Sequence, residues 1–387
     1  MPGRTVVIVG GAIVGTVSAW FLRHLGHDGP VIVLEKDPTY RYASTTLSTS
    51  GIRTQFGCDI NVRMSLFGAE FMKAAKQHFG PDADVGLREN GYLLLAPKGS
   101  QAARLETVRM QTEAGASIAV LTLEETRARF PWLNVADLEM ATLGTANEGW
   151  FDAWTLLQTV RTGARALGVE YRHAEAVGFE TEGGRIAAVR TAAGERIAAD
   201  WVVNAAGPAA GRVASWVDVA LPITPRKRTA FRFSGPLDGA MMPLLFDTSG
   251  LWMRPESGRF IGGITRPGDD PPAWDDFEPD HALFEHHVWP ALAHRVPALE
   301  QLRLEGAWAG HYEVNALDHN GVIGFPGAPE NFVIAAGFSG HGVMHAPATG
   351  RGVAELILHG GFRALDLSPL GYDRVREGRP MVETVVY

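Results

Sequence analysis

Thr5 to Asp37 reads TVVIVGGAIVGTVSAWFLRHLGHDGPVIVLEKD. The order within it is that of a βαβ unit. A continuous apolar run, Val6 to Val9, enters the turn Gly10-Gly11-Ala12-Ile13-Val14-Gly15, an amphipathic helix follows, and a second apolar run, Val31 to Leu34, ends in Glu35. A glycine turn feeding a helix N-terminus offers backbone N–H groups to a pyrophosphate. Glu35 stands 20 residues beyond Gly15, where an acidic side chain meets the ribose hydroxyls of a dinucleotide. One position departs from the G-x-G-x-x-G pattern: Ala12 replaces the glycine that brings backbone closest to the phosphates, so a looser contact is expected there. An α/β crossover without a ligand is the competing reading, but it gives no packing reason for Glu35 at the strand end.

The chain has 387 residues, 46% of them apolar, enough to bury two cores. Its net charge of −8 and its longest basic cluster, Arg226-Lys227-Arg228, argue against a nucleic-acid surface, which needs a cationic stripe. A single cysteine, Cys58, allows no intramolecular disulfide and no thiolate metal site. No apolar run reaches the roughly 18 residues of a membrane span, and the first strand begins too early for a targeting peptide, so a cytoplasmic location is expected. His281, His286, His287 and His294 do not bring three imidazoles to one helix face, so no metal is expected.

Further along, a hydroxyl-rich loop (Ala43 to Gly51) leads to Ile52-Arg53-Thr54-Gln55-Phe56-Gly57. Helical periodicity marks Asn61 to His78, Ser100 to Ala114 and Leu123 to Arg129, with strands at Tyr92 to Ala96 and Met140 to Thr145. Asp152 reads as the N-cap of a helix from Ala153 to Leu167. Val169 to Tyr171, Ala174 to Glu180, Arg185 to Thr191 and Arg196 to Ala198 read as one meander, followed by a strand at Trp201 that ends in the small residues Ala205-Ala206-Gly207. Strands at Thr229 to Phe233, Leu251 to Arg254 and Phe260 to Ile264 give a mainly β region. It is interrupted by an acidic, proline-rich loop over 268–280, which reads as a solvated loop with a lid as the alternative. The strand Phe332 to Ala336 runs into Gly337-Phe338-Ser339-Gly340-His341-Gly342, with a helix expected from Ala348 to Leu358. Two glycine turns feeding two helices suit a long cofactor with two polar ends.

In this order the segments resemble the D-amino-acid oxidase superfamily of flavoproteins, in its glycine/sarcosine oxidase and dimethylglycine dehydrogenase branch. The motifs carrying the resemblance are GGAIVG with Glu35, STTLSTSGIRTQFG, NEGWFDAWTLLQ, VVNAAGPAAG, PRKR, DHNGVIG and VIAAGFSGHGVMHAPATGRGVAELI. PRKR and EGWFDAW are also similar to FAD-dependent oxidoreductase-domain proteins that assist assembly of respiratory complex I, which keeps a non-catalytic, flavin-stabilised assembly factor among the readings.

The resemblance implies an α/β fold: a Rossmann-like FAD-binding domain from discontinuous segments (1–85, 148–218 and 310–387) and an α+β substrate domain with a mainly antiparallel sheet (86–147 and 219–309). It implies FAD, with Gly10, Gly11, Ala12 and Gly15 at the pyrophosphate, Glu35 on the ribose, and Ser44, Thr45 and Thr46 near phosphate and ring. Ala206 and Gly207 would touch the nucleotide, and Gly337, Phe338, Ser339, Gly340, His341, Gly342 and Val343 would border the isoalloxazine. Ile13, Val14, Lys36, Ser50, Gly51 and Val177 complete the implied cofactor set. The helix expected from Ala348 would aim its positive end at the pyrimidine side of the ring.

Arg53 matches the arginine that pairs with the substrate carboxylate in sarcosine oxidases, and a guanidinium fork suits that task. The family's two flavin-linking residues fall near His311 and near Leu47 or Ser48, so the FAD is expected to be noncovalent. The second carboxylate contact falls near Met344, beside His345. The oxygen-activating lysine has no match around Phe260 to Ile264, so either oxygen or another electron acceptor fits. His311, Tyr312, His341 and His345 are candidates for orienting substrate or relaying a proton.

The implied reaction is hydride transfer to flavin N5 from a small carboxylate-bearing secondary or tertiary amine of the sarcosine, dimethylglycine or imino-diacid type, the imine then hydrolysing. A D-amino-acid or 2-hydroxy-acid oxidoreductase is the alternative enzyme, and the hydroxy-acid reaction would need an alkoxide-forming base.

Overall fold

The computed structural model describes residues 3–265 and 271–385. Residues 268–270 of the expected acidic loop therefore lie outside the described residues. Strand β1 (Val6–Val9), helix α1 (Ile13–His24) and strand β2 (Val31–Glu35) form the βαβ unit at the places their periodicity predicts. β1 is wholly buried, and it pairs in parallel with β2 on one side and with Trp201–Asn204 on the other. The full sheet has six strands in the order Val322–Gly324, Phe332–Ala336, Trp201–Asn204, β1, β2, Glu170–His173, with only Val322–Gly324 antiparallel. Because β1, Trp201–Asn204 and Phe332–Ala336 run parallel, both glycine turns lie at one end of the sheet.

Glu170–His173 is a correction. The expected meander would have included it, but it joins the edge of the main sheet beside β2, and the meander proper is Ala176–Glu182, Arg185–Thr191 and Arg196–Ala198. The helix Ala153–Ala166 just before it explains why, since a helical crossover delivers the next strand parallel to its neighbours. Asp152 caps that helix as expected, its Oδ1 accepting the Thr155 N–H at 2.8 Å.

A second sheet of eight strands runs Arg303–Asn315, Ile223–Ser234, Arg259–Ile264, Leu251–Glu256, Leu244–Phe246, Tyr92–Pro97, Leu138–Gly144, Ile118–Leu121. All its pairs are antiparallel except Leu244–Phe246 with Tyr92–Pro97. Ile223–Ser234 starts six residues before the expected Thr229, because pairing with Arg303–Asn315 carries the polar stretch Pro225 to Arg228 into the ladder. Periodicity does not mark Arg303–Asn315 either, since half-buried positions run on through most of its length without regular alternation.

The helix expected from Ala348 spans Gly342–His359 and so includes Pro347. Proline reads as a helix boundary, but packing overrides it here. A β-carbon on Gly350 would stand 2.7 Å from Val17 Cγ1 of α1, and one on Gly68 would stand 2.2 Å from the Met344 carbonyl. Helix α2 (Asp59–Lys73) and α1 thus clamp both halves of the long helix. Among the described residues, no helix is long and apolar enough to cross a membrane.

Candidate active site

The carboxyl end of β1 builds one end of a large cavity. Gly10 has φ +101°, and a β-carbon there would stand 2.3 Å from the Ala205 carbonyl oxygen; at Gly15 it would stand 1.9 Å from the Gly10 carbonyl oxygen. Only glycine fits at these two places, and their absent side chains let the start of α1 press against the sheet. Ala12 is the N-cap of α1 at φ −72°, ψ −164°, a backbone that alanine adopts without strain. Thr45 Oγ1 accepts the Ile13 N–H at 3.3 Å, placing a hydroxyl at the same helix terminus. The Glu35 carboxylate accepts the N–H groups of Gly11 and Asp37, each at 2.9 Å. Burial raises the Glu35 pKa against the pull of those two donors.

The cavity has a volume of about 490 Å³. Its lining brings together Gly10, Ala12, Ile13, Val14, Glu35, Lys36, Ser44, Thr45, Ala206, Gly207, Gly340, Gly342 and Val343 of the expected cofactor set, with His311 and Tyr312. The N-terminus of the long helix opens on it through Gly342 and Val343.

Other expected residues stand elsewhere. Gly11 and Gly15 shape the turn from behind. Thr46 and Ser50 are not in the lining, the Thr46 hydroxyl being buried without a hydrogen-bond partner. Val177 is 46% exposed on the outward face of its strand, and its neighbours Ala174, Glu175 and Ala176 line the cavity instead. Gly337 and Phe338 lie beneath the second glycine turn, against the Arg303–Asn315 strand.

A second, smaller cavity of about 40 Å³ shares Ser48, Thr49, Trp252, Tyr312, Gly340 and Val343 with the first. Its own walls are Gly51, Arg53, Tyr92, Leu244, Phe246, Ser339, His341 and Met344. Arg53 is 4% exposed. Its Nη1 donates to the Gln55 carbonyl at 2.5 Å and its Nη2 to the Val385 carbonyl at 2.6 Å, while the guanidinium lies 3.9 Å from the centre of the Phe56 ring.

A buried carboxylate fixes the loop behind it. Glu148 accepts the Thr54 N–H at 2.7 Å, the Thr54 hydroxyl at 2.5 Å and the Gln55 amide at 2.9 Å. Burial raises the Glu148 pKa, and the Thr54 and Gln55 donors oppose that shift.

The histidines divide. His341 lines the small cavity, its Nε2 is buried without a hydrogen-bond partner, and burial, then His345 and Arg53, hold its pKa well below the usual imidazole range. His345 is in neither cavity. It packs against Phe56 with Nε2 3.0 Å from Ser65 Oγ, and burial, then Arg53, lower its pKa to about 3. His311 faces the large cavity, but its Nε2–H donates to the Asp276 carbonyl at 2.7 Å and its ring stacks on Phe277, so it fastens the 275–277 segment. Tyr312 borders both cavities, and burial raises its phenol pKa.

The profile of the DAO family, described as FAD dependent oxidoreductase, matches residues 5–356. The chain belongs to the DAO family. DAO relatives include FAD-dependent oxidoreductase domain-containing protein 1 of Xenopus laevis, 36% identical over 98% of this chain and 84% of that protein. L-proline dehydrogenase from P. horikoshii superposes with a TM-score of 0.86 at 28% identity, covering 98% of this chain and 99% of the other. Glycine oxidase from Geobacillus kaustophilus shares the fold, with a TM-score of 0.81 at 24% identity over 95% and 98% of the two chains. The protein is thus an FAD-dependent oxidoreductase of the DAO type.

The residues present fit the DAO cofactor. Gly10, two helix N-termini and the Glu35 carboxylate face one large cavity, Gly15 packs behind the turn where a β-carbon would be blocked, and the Thr46 hydroxyl is buried beside the cavity without a partner. Sequence reading missed three features of the candidate site. Glu313 lines the large cavity, and burial, opposed by the Gly337 and Phe338 N–H groups, pushes its pKa up to about 7. Tyr92, Phe246 and Trp252 supply the aromatic walls around Arg53. Val385 reaches Arg53 from 332 residues away. No periodic signal marks a residue whose neighbours come from other elements, although EGWFDAW did contain Glu148.

Proposed function

We propose that the protein oxidises the C–N bond of a small carboxylate-bearing secondary or tertiary amine, with noncovalent FAD in the large cavity and the substrate in the Arg53 pocket. The carrying observation is the buried Arg53 guanidinium in a small pocket, walled in part by Tyr92, Phe246, Trp252 and Tyr312, that shares six lining residues with the large cavity. A fixed guanidinium in such a place binds a carboxylate bidentately, and the shared walls put the atoms attached to that carboxylate next to the cofactor space. Gly10, Ala12, Ile13, Val14 and Glu35 would hold the adenine-side half of FAD, and Gly340, Gly342 and Val343 the other end. When bound, FAD supplies a two-electron acceptor.

The amine must lose its proton before its lone pair can assist oxidation. Burial and the Arg53 charge both disfavour an ammonium, so the pocket favours the neutral amine without a dedicated base. His341 fits this reading better than that of a 2-hydroxy-acid enzyme: its depressed pKa makes it a poor acceptor for an alcohol proton but a neutral hydrogen-bonding partner for an amine. Tyr312, between the two cavities, would orient the substrate. The carbonyl-bound Nε2–H of His311 supports an unlinked cofactor.

Replacing Arg53 by Ala tests the assignment. Loss of a buried bidentate pair is expected to lower kcat/KM by about 1000-fold, most of it in KM. Unchanged kinetics would remove Arg53 from the site.

A further inference from the structure

The segment Met381–Val385 lies far from any sequence motif, yet it is built into the substrate end of the molecule. Glu383 is 2% exposed, and its carboxylate is saturated. Oε1 accepts the Gly57 N–H at 2.6 Å and the Val385 N–H at 2.8 Å, while Oε2 accepts the Cys58 N–H at 3.2 Å and Asn61 Nδ2 at 2.8 Å. The Glu383 N–H donates to the Asp318 carbonyl at 3.0 Å, the Met381 N–H to Asp318 Oδ2 at 3.2 Å, and Asn320 Nδ2 donates to the Met381 carbonyl. A β-carbon on Gly57 would stand 2.4 Å from Thr384 Oγ1, so loop and segment are in direct contact.

This anchoring has a consequence one residue pair further on. The Val385 carbonyl accepts from Arg53 Nη2, and the Val385 side chain, 8% exposed, belongs to one apolar cluster with Tyr92, Leu94, Leu244 and Phe246. Tyr92, Leu244 and Phe246 are walls of the small cavity, as is Trp252, which packs on the same cluster.

We propose that Met381–Val385, which stands outside the lining, backs the walls of the Arg53 pocket and determines its specificity, pinned by Glu383, with Val385 setting through Tyr92, Leu244 and Phe246 the width available beside the carboxylate. The proposal rests on the reading of Arg53 as the carboxylate anchor. It explains why a carboxylate with four donors is buried at a place where the fold needs no charge: it holds a segment with no regular secondary structure rigidly enough to define a pocket. Glu383 is then a positioning residue, acting through Val385 on Arg53.

The test uses the FAD-loaded full chain and reads dissociation constants of acetate, isovalerate and phenylacetate from the change each causes in the flavin absorption spectrum. Wild-type protein is expected to bind acetate and to discriminate against the two wider acids. Val385→Ala keeps the main-chain carbonyl and removes side-chain bulk, and it is expected to shift the isovalerate-to-acetate affinity ratio at least tenfold toward isovalerate. Glu383→Gln is expected to shift the ratio in the same direction, and if it does not fold, Val385→Ala still decides. Arg53→Ala separates the two layers of argument. If it abolishes acetate binding while Val385→Ala leaves the ratio within twofold of wild type, the backing role is overturned and the anchor stands. If it leaves acetate binding intact, or if no acid perturbs the spectrum of the wild-type protein, both fall.

Discussion

The two joined cavities are built on different principles. The large one is framed at one end by backbone: the β1–α1 turn, two glycines that admit no β-carbon, and a helix terminus, all but Glu35 and Thr45 within ten residues of one another. The small one is framed by side chains from Arg53, Tyr92, Phe246, Trp252, Tyr312 and His341, with the Val385 carbonyl bonded to Arg53 from outside the lining, a set spread over more than 300 residues of chain. A cofactor shared by a whole family calls for the first construction, which tolerates little variation. A substrate pocket gains from the second, where single side chains change width and charge while the sheet is left intact.

Breaking the backbone-built end should have the largest effect. Gly15→Ala drives a methyl group into the Gly10 carbonyl, and overpacking against main chain is expected to weaken FAD retention by about 100-fold, read from the flavin-to-protein absorbance ratio after purification. Retention at the wild-type ratio would show that the turn yields more easily than its geometry suggests.

Next comes the support of the side-chain-built pocket. Glu148→Ala leaves the Thr54 N–H, the Thr54 hydroxyl and the Gln55 amide facing a hole, and a loss of about 4 kcal/mol in unfolding free energy is expected from denaturant titration.

A smaller effect sharpens the contrast at the wall of the large cavity. Glu313 has a folded-state pKa of about 7 against an ordinary 4.5, so folding favours its neutral acid. The associated stability is fully present below pH 4.5 and is lost as pH rises toward 7, by up to about 3 kcal/mol. Thermal unfolding of flavin-stripped protein should therefore show a melting temperature that falls over that window in wild type, and a flatter profile in Glu313→Gln.

The same contrast explains what could be read from sequence. Val6 to Glu35 carried its fold in its own periodicity, and the Asp152 cap and the Phe332–Ala336 strand were equally local. Glu170–His173 went to the wrong sheet in the reading because a four-residue strand with half-exposed positions does not encode its partner. The long helix was started six residues late because Pro347 signals a boundary locally, whereas Gly68 and Gly350 hold it in place through distant neighbours. Of the candidate site, the glycines, Glu35 and Arg53 stood in motifs that the sequence alone displays. Glu313, Tyr92, Trp252 and Glu383 did not, since what makes each of them notable is burial against segments elsewhere in the chain.

The central claim is that a carboxylate anchored at Arg53 presents an attached amine to the cofactor. Anaerobic mixing of the FAD-loaded protein with N-methylglycine, N,N-dimethylglycine and iminodiacetate, each beside its counterpart lacking the carboxylate, tests it most directly through loss of flavin absorbance. The account predicts bleaching by at least one of the acids and none by the matching carboxylate-free amine. Equal bleaching by both members of a pair, or no bleaching by any acid while FAD is bound at full occupancy, would contradict it.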